Sequence, residues 1–121
     1  MESRYPRSWD WERQKAPRPL SAYEEAPEAI GVYELGYMNN GKFEPMYVGR
    51  AMGVNFRQRF YQHYKLSHNV NVRKNRSKLF FRYKRFPSEN LAAYVEAVLI
   101  AALDYPWNKR NEWAQHFRLE K

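Results

Sequence analysis

The chain has 121 residues, room for one domain with one modest core, and its 44% hydrophobic and 17% aromatic content excludes a disordered polymer. It has no cysteine, which excludes a disulfide framework and a thiolate zinc site and suits a reducing cytoplasm, and it lacks the apolar run of about 18 residues that a membrane-spanning helix needs. The net charge of +8 is concentrated: residues 42–85 hold twelve Lys/Arg against Glu44 alone, while residues 1–41 hold five against seven acids and residues 86–121 four against five. A basic middle third is the footprint of a polyanion-binding surface, so nucleic acid is favoured over a merely solvated face.

Residues 1–29 are read as an irregular arm ahead of a domain over 30–121. Pro6, Pro17, Pro19 and Pro27 break regular structure, a helical turn fits Ser21–Glu25, and Trp9 and Trp11 give the arm something to pack with. The opening MESRYPRSWDWERQ has no apolar signal-peptide core, consistent with a cytoplasmic protein. Residues 31–49 read as a β-hairpin. Gly31–Leu35 and Met46–Val48 are strand-like, and Asn39-Asn40-Gly41 between them is a strong hairpin signal. Pro45 marks a bulge or an edge.

Residues 54–66 have helical spacing. Phe56, Phe60 and Tyr64 form a buried stripe, Arg59 and His63 share a second face, and Asn55 can cap the helix. Residues 67–78 are polar and basic and read as a loop. Leu79–Phe86 reads as a third strand, with seven Lys/Arg across 73–85. Residues 88–103 read as a helix capped by Ser88. Its stretch LAAYVEAVLIAAL is apolar nearly all round, which predicts a buried helix. The chain then turns at Pro106 into Trp107-Asn108, and 111–121 fit a short closing helix. The expected fold is α+β: a small three-stranded antiparallel sheet flanked by helices.

Three features carry chemistry. Glu96 is the only charge in the apolar stretch Leu91–Leu103, and an unpaired carboxylate there costs several kcal/mol unless it meets a cation. An arginine partner or a metal answers that equally well. Arg59 offers a planar fork to a phosphate, with His63 one turn away to accept a proton, though a solvated basic helix face has the same pattern. Tyr33 and Tyr47 fall on neighbouring strands, where a tyrosine becomes a base only beside a cation and a proton acceptor.

In chain order these are Gly31-Val32-Tyr33, Tyr47-Val48-Gly49, Asn55-Phe56 leading to Arg59 and His63, then Glu96, then Asn108. The series, over about residues 30–111, resembles the GIY-YIG nuclease superfamily. Its two signature strands match 31–33 and 47–49 with valine for isoleucine. Its helical arginine matches Arg59, and its metal-binding glutamate matches Glu96. The histidine found in part of the family matches His63, and the closing asparagine matches Asn108. The stretch from Gly49 to Arg59 is about two residues longer than in many members, which leaves Arg57 as a rival to Arg59, and Asn111 competes with Asn108.

The resemblance implies an endonuclease that hydrolyses phosphodiester bonds, taken as those of DNA, with Mg²⁺ or Mn²⁺ at Glu96 and a water activated by Tyr33 through His63. Arg59 would neutralise a phosphate oxygen, and Tyr47 would orient the water. Arg50, Arg57, Arg73, Lys74, Arg76, Lys78, Arg82 and Lys84 are the expected backbone contacts; Phe81 and Tyr83 could stack on bases, though core packing is favoured for at least one of them. With little room for a separate specificity domain, the expectation is a weakly specific or structure-selective nuclease, a homodimer, or dependence on a partner protein for targeting. The alternative is a module of the same fold that holds nucleic acid without cutting it.

Overall fold

The computed structural model describes residues 17–108. The fold is α+β, built on a four-stranded antiparallel sheet rather than the expected three. The added strand, β1 (Arg18–Pro19), is too short for a sequence pattern to reveal, and it pairs with β4 (Phe80–Arg85) only through Arg18↔Phe81 and Pro19↔Phe80. A 3-10 helix at Leu20–Glu25 follows, so residues 17–29 of the arm read as irregular are partly ordered. Residues 1–16, with Trp9 and Trp11, and residues 109–121, with the closing helix and Asn111, lie outside the described residues.

The hairpin is β2 (Gly31–Asn39) and β3 (Lys42–Ala51). Asn40 and Gly41 form its two-residue turn, both at positive φ (54° and 78°), which matches the right-handed twist of the strands. The register shifts where Leu35 faces Tyr47 and Gly36 faces Pro45, leaving Met46 as the extra residue of a bulge. Pro45 therefore sits both at a bulge and on an edge, because the sheet order is β1-β4-β2-β3. That free edge is covered by the end of the chain described here. Trp107 N donates to Met46 O at 3.0 Å, and Trp107 packs on Tyr37.

Helix α1 (Phe56–Leu66) begins at a reciprocal cap. Asn55 accepts from Gln58 N, and Gln58 accepts from Asn55 N. It covers one face of the sheet, where Phe56 and Phe60 meet Tyr33, Leu35, Phe81 and Tyr83 in the larger core. Residues 67–78, read as a loop, contain a short helix α2 (Val70–Asn75). The Asn69 side chain caps it by accepting from Asn71 N and Val72 N, and Val72 is buried. One capping asparagine and one buried valine suffice in a polar stretch whose composition hides the helix.

Helix α3 (Glu89–Ala102), capped by Ser88, covers the opposite face and packs Ala92, Val95 and Leu99 on Val32 and Val48. It is not the fully buried helix that its composition predicts: Tyr94 is 67% exposed and Leu91 39%. One sheet face needs one stripe: Ile100 packs at its margin, while Leu91 and Tyr94 face outward. No helix among the described residues is long and apolar enough to cross a membrane.

Candidate active site

Side chains alternate between the two faces of a strand, and this alternation sorts the site. On β2, Tyr33 points to α1 while Val32 and Glu34 point to α3; on β3, Tyr47 and Ala51 point to α1, and Val48 points to α3. Because β3 is the edge strand, side chains from both faces converge around it. A cleft of about 930 Å³ opens there, lined by Tyr33, Tyr47, Arg59, His63, Glu96 and Asn108, so all six expected site residues meet at one place. Residues 33 and 96 come together only because two helices approach the same edge from opposite faces.

Tyr33 is fully seated. Its ring crosses the backbone of Gly49, where an added Cβ would lie 2.6 Å from Tyr33 Cζ. The glycine of the second signature strand is therefore a steric requirement of the tyrosine in the first. Tyr33 Oη lies 2.6 Å from His63 Nε2, and His63 Nδ1 lies 3.2 Å from Ser67 Oγ, which also accepts from Asn69 N. The pattern is satisfied when Tyr33 donates to a bare Nε2 and Nδ1–H donates to Ser67. Burial drives the titration of both partners. It pushes the Tyr33 hydroxyl well above its ordinary value, with Tyr47 adding to the rise and Arg59 opposing it. It pushes His63 down to about 4, with Arg59 adding to the fall. At neutral pH the pair is a neutral phenol and a neutral imidazole, aligned for proton transfer but needing a further cation to drive it. Tyr47 packs on His63 at 5.3 Å between ring centroids, and its hydroxyl is also raised by burial, with Glu96 adding and Arg59 opposing.

Arg59 is the guanidinium of the cleft. Nη1 donates to Gln62 at 3.0 Å, but its buried Nε has no hydrogen-bond partner among the described residues. A buried N–H on a cation is costly to leave unmade, and an anionic oxygen in the cleft would satisfy it. Arg57 is excluded from this role because it turns away, donating to Ala26 O and pairing with Glu28. Asn108 is committed to structure. Its Oδ1 accepts from Val48 N at 2.8 Å and its Nδ2 donates to Val48 O at 2.9 Å, so it clamps the strand that carries Tyr47 and reaches the chemistry only by positioning.

Glu96 is paired with Arg50 across the cleft rim, with side-chain exposures of 14% and 41%. Burial raises its carboxyl, and Arg50 is the largest opposing influence. Among the described residues there is no cluster of three or more His, Asp or Glu. One carboxylate cannot form an all-protein cage, but it fits Mg²⁺ or Mn²⁺, which keep waters and share phosphate oxygens. Of the two answers expected for its buried charge, the structure places the arginine one on Glu96, the Arg50 guanidinium, so an ion held by this carboxylate would have to displace that partner.

Several expectations are corrected. Arg82 is not a surface cation. It is 7% exposed, and its Nε and Nη2 reach Oε1 of the fully buried Glu34 at 2.7 and 2.6 Å. Phe81 and Tyr83 both face α1 and are buried, so neither is open to stack on a base. Lys84 lies on β4, beyond β2 from the cleft. Arg73, Lys74, Arg76 and Lys78 are exposed on α2 and the following 3-10 helix, immediately after the cleft wall formed by residues 66–69. Ser67, Gln62 and Asn69 were not legible as site residues. Ser67 does stand four residues after His63, a spacing that could have flagged it. Comparison with known proteins finds no matching family model and no matching curated relative.

Proposed function

We propose that this protein is a divalent-metal-dependent endonuclease of the GIY-YIG type, acting on DNA phosphodiester bonds. The observation that carries this reading is the unpaired, buried Nε–H of Arg59 in the same cleft as the Tyr33–His63 pair and Glu96. An anion receptor, an aligned acid–base pair and a carboxylate suited to a hard cation are the minimum set for phosphoryl hydrolysis.

Arg59 binds a non-bridging oxygen of the scissile phosphate and neutralises charge as it develops. Tyr33 takes a proton from the attacking water as it passes its own to His63 Nε2, and Tyr47 orients that water. The P–O bond to water forms while the bond to the 3′ oxygen breaks, and that oxygen takes a proton from solvent, which leaves a 5′-phosphate and a 3′-hydroxyl. Glu96 would hold a Mg²⁺ or Mn²⁺, which when bound would supply Lewis acidity for the leaving oxygen. Ser67 fixes the His63 ring, and the exposed cations of α2 hold the neighbouring backbone.

The test is incubation of supercoiled plasmid, branched DNA and RNA with protein and Mg²⁺, Mn²⁺ or EDTA, beside Glu96→Ala. Metal-dependent nicking of DNA that the mutant lacks is expected, with binding nearly intact. Equal cleavage by the mutant would remove Glu96 from the mechanism, and binding without cleavage of any substrate would make the protein a nucleic-acid-holding module.

A further inference from the structure

We propose that Arg50 is a cationic placeholder: it occupies Glu96 in the free protein and moves to a nucleic-acid phosphate on binding, so that metal uptake at Glu96 is coupled to the arrival of substrate. The inference rests on Glu96 being the metal carboxylate. Arg50 follows Gly49 on the edge strand, lines the same cleft as Arg59, and pairs with Glu96 from the next secondary-structure layer. A metal ion and this guanidinium seek the same carboxylate oxygens and repel each other.

In the free cleft the fixed charges are two guanidiniums, Arg50 and Arg59, against the one carboxylate of Glu96. A divalent ion entering that setting meets net positive charge. An arriving phosphodiester reverses this, because it offers Arg50 an alternative partner. Arginine suits the exchange, since its planar fork matches a carboxylate and a phosphate equally. Exposure permits it too. Arg50 is 41% exposed at the rim, while Glu96 is 14% exposed on its helix. Another acid–arginine pair, Glu34 with Arg82, lacks that exposure, being buried against the sheet.

The experiment is a Mn²⁺ titration of the free protein, followed by the electron paramagnetic resonance of unbound Mn²⁺. Arg50→Gln and Arg50→Ser, both checked for thermal unfolding, are expected to bind Mn²⁺ about fivefold more tightly than wild type, the scale of a half-exposed ion pair. Arg50→Lys should stay near wild type, and adding Glu96→Gln to Arg50→Gln should erase the gain. By linkage, a DNA duplex should raise the Mn²⁺ affinity of wild type by a larger factor than that of Arg50→Gln. Equal or weaker Mn²⁺ binding by both neutral variants would overturn the proposal, as would a gain that survives loss of Glu96. These outcomes are separable from failure of the nuclease reading, because Mn²⁺ binding is read without DNA or cleavage. A wild type that never cuts leaves the titration interpretable, and metal-dependent cutting with unchanged Mn²⁺ affinities defeats the placeholder alone.

Discussion

Two of the acid–arginine pairs among the described residues, Glu34–Arg82 and Glu96–Arg50, share a chemistry and differ in their surroundings. Glu34–Arg82 lies inside the sheet. The carboxylate is fully buried, one oxygen takes two N–H donors of Arg82, and the other accepts from the hydroxyl of Tyr105. The Arg82 guanidinium also stacks on Phe43 at 4.5 Å. Every strong group has a partner, which is the condition under which a buried charge pair is tolerated. Glu96–Arg50 lies at the rim of the cleft, with Arg50 41% exposed and, beside it, Arg59, whose buried Nε has no partner among the described residues. A closed network of this kind holds the fold. An open one of the same residue types is available for exchange, and burial with full satisfaction separates the two.

The sharpest way to break this comparison is to neutralise each acid in turn. Glu96→Gln is expected to lower metal-dependent cleavage by about a thousandfold, the scale of several kcal/mol of lost metal catalysis, with its urea midpoint nearly unchanged. Glu34→Gln should leave Arg82 buried without its counter-charge and cost about 3–5 kcal/mol of stability, read from the same urea transition. If the two variants exchanged phenotypes, the assignment of one pair to the fold and the other to function would be wrong.

A third buried titratable group sharpens the picture through pH. The His63 pKa is lowered to about 4 in the folded state and is near 6.5 when unfolded. The unfolded chain therefore takes up the proton first as pH falls. Stability from this group is complete above pH 6.5, declines between 6.5 and about 4, and then levels off, a loss of up to about 3 kcal/mol. Urea midpoints for wild type and His63→Gln should converge over that window, and a constant difference between them would contradict the burial argument.

The smallest effect concerns the surface. Lys74→Ala and Lys78→Ala should each lower the slope of log affinity against log salt for duplex DNA by about one unit. Arg82→Lys should leave that slope alone, because Arg82 is buried.

Much of the site could be read from the chain because its signals are local or ordered. Phe56 and Phe60 four apart, Arg59 and His63 four apart, the Asn40-Gly41 turn and the Asn55 and Ser88 caps all depend on neighbours within one turn of backbone. The α+β class and the hairpin follow from those signals, whereas the set of Tyr33, Tyr47, Arg59, His63, Glu96 and Asn108 rests on the resemblance of their order to a nuclease family. Composition was a poorer guide: it put α3 wholly inside, where only one stripe of it is needed, and it hid α2 in a polar stretch.

What only the tertiary structure decided is pairing across long separations. Tyr33 meets His63 across 30 residues, Arg50 meets Glu96 across 46, and Glu34 meets Arg82 across 48 and Tyr105 across 71. Whether a given arginine faces a phosphate or a buried carboxylate depends on strand register, since a shift of one residue sends a side chain to the opposite face. That register is fixed by the bulge at Met46 and the pairing of β2 with both neighbours, which no local pattern of charge or hydropathy encodes.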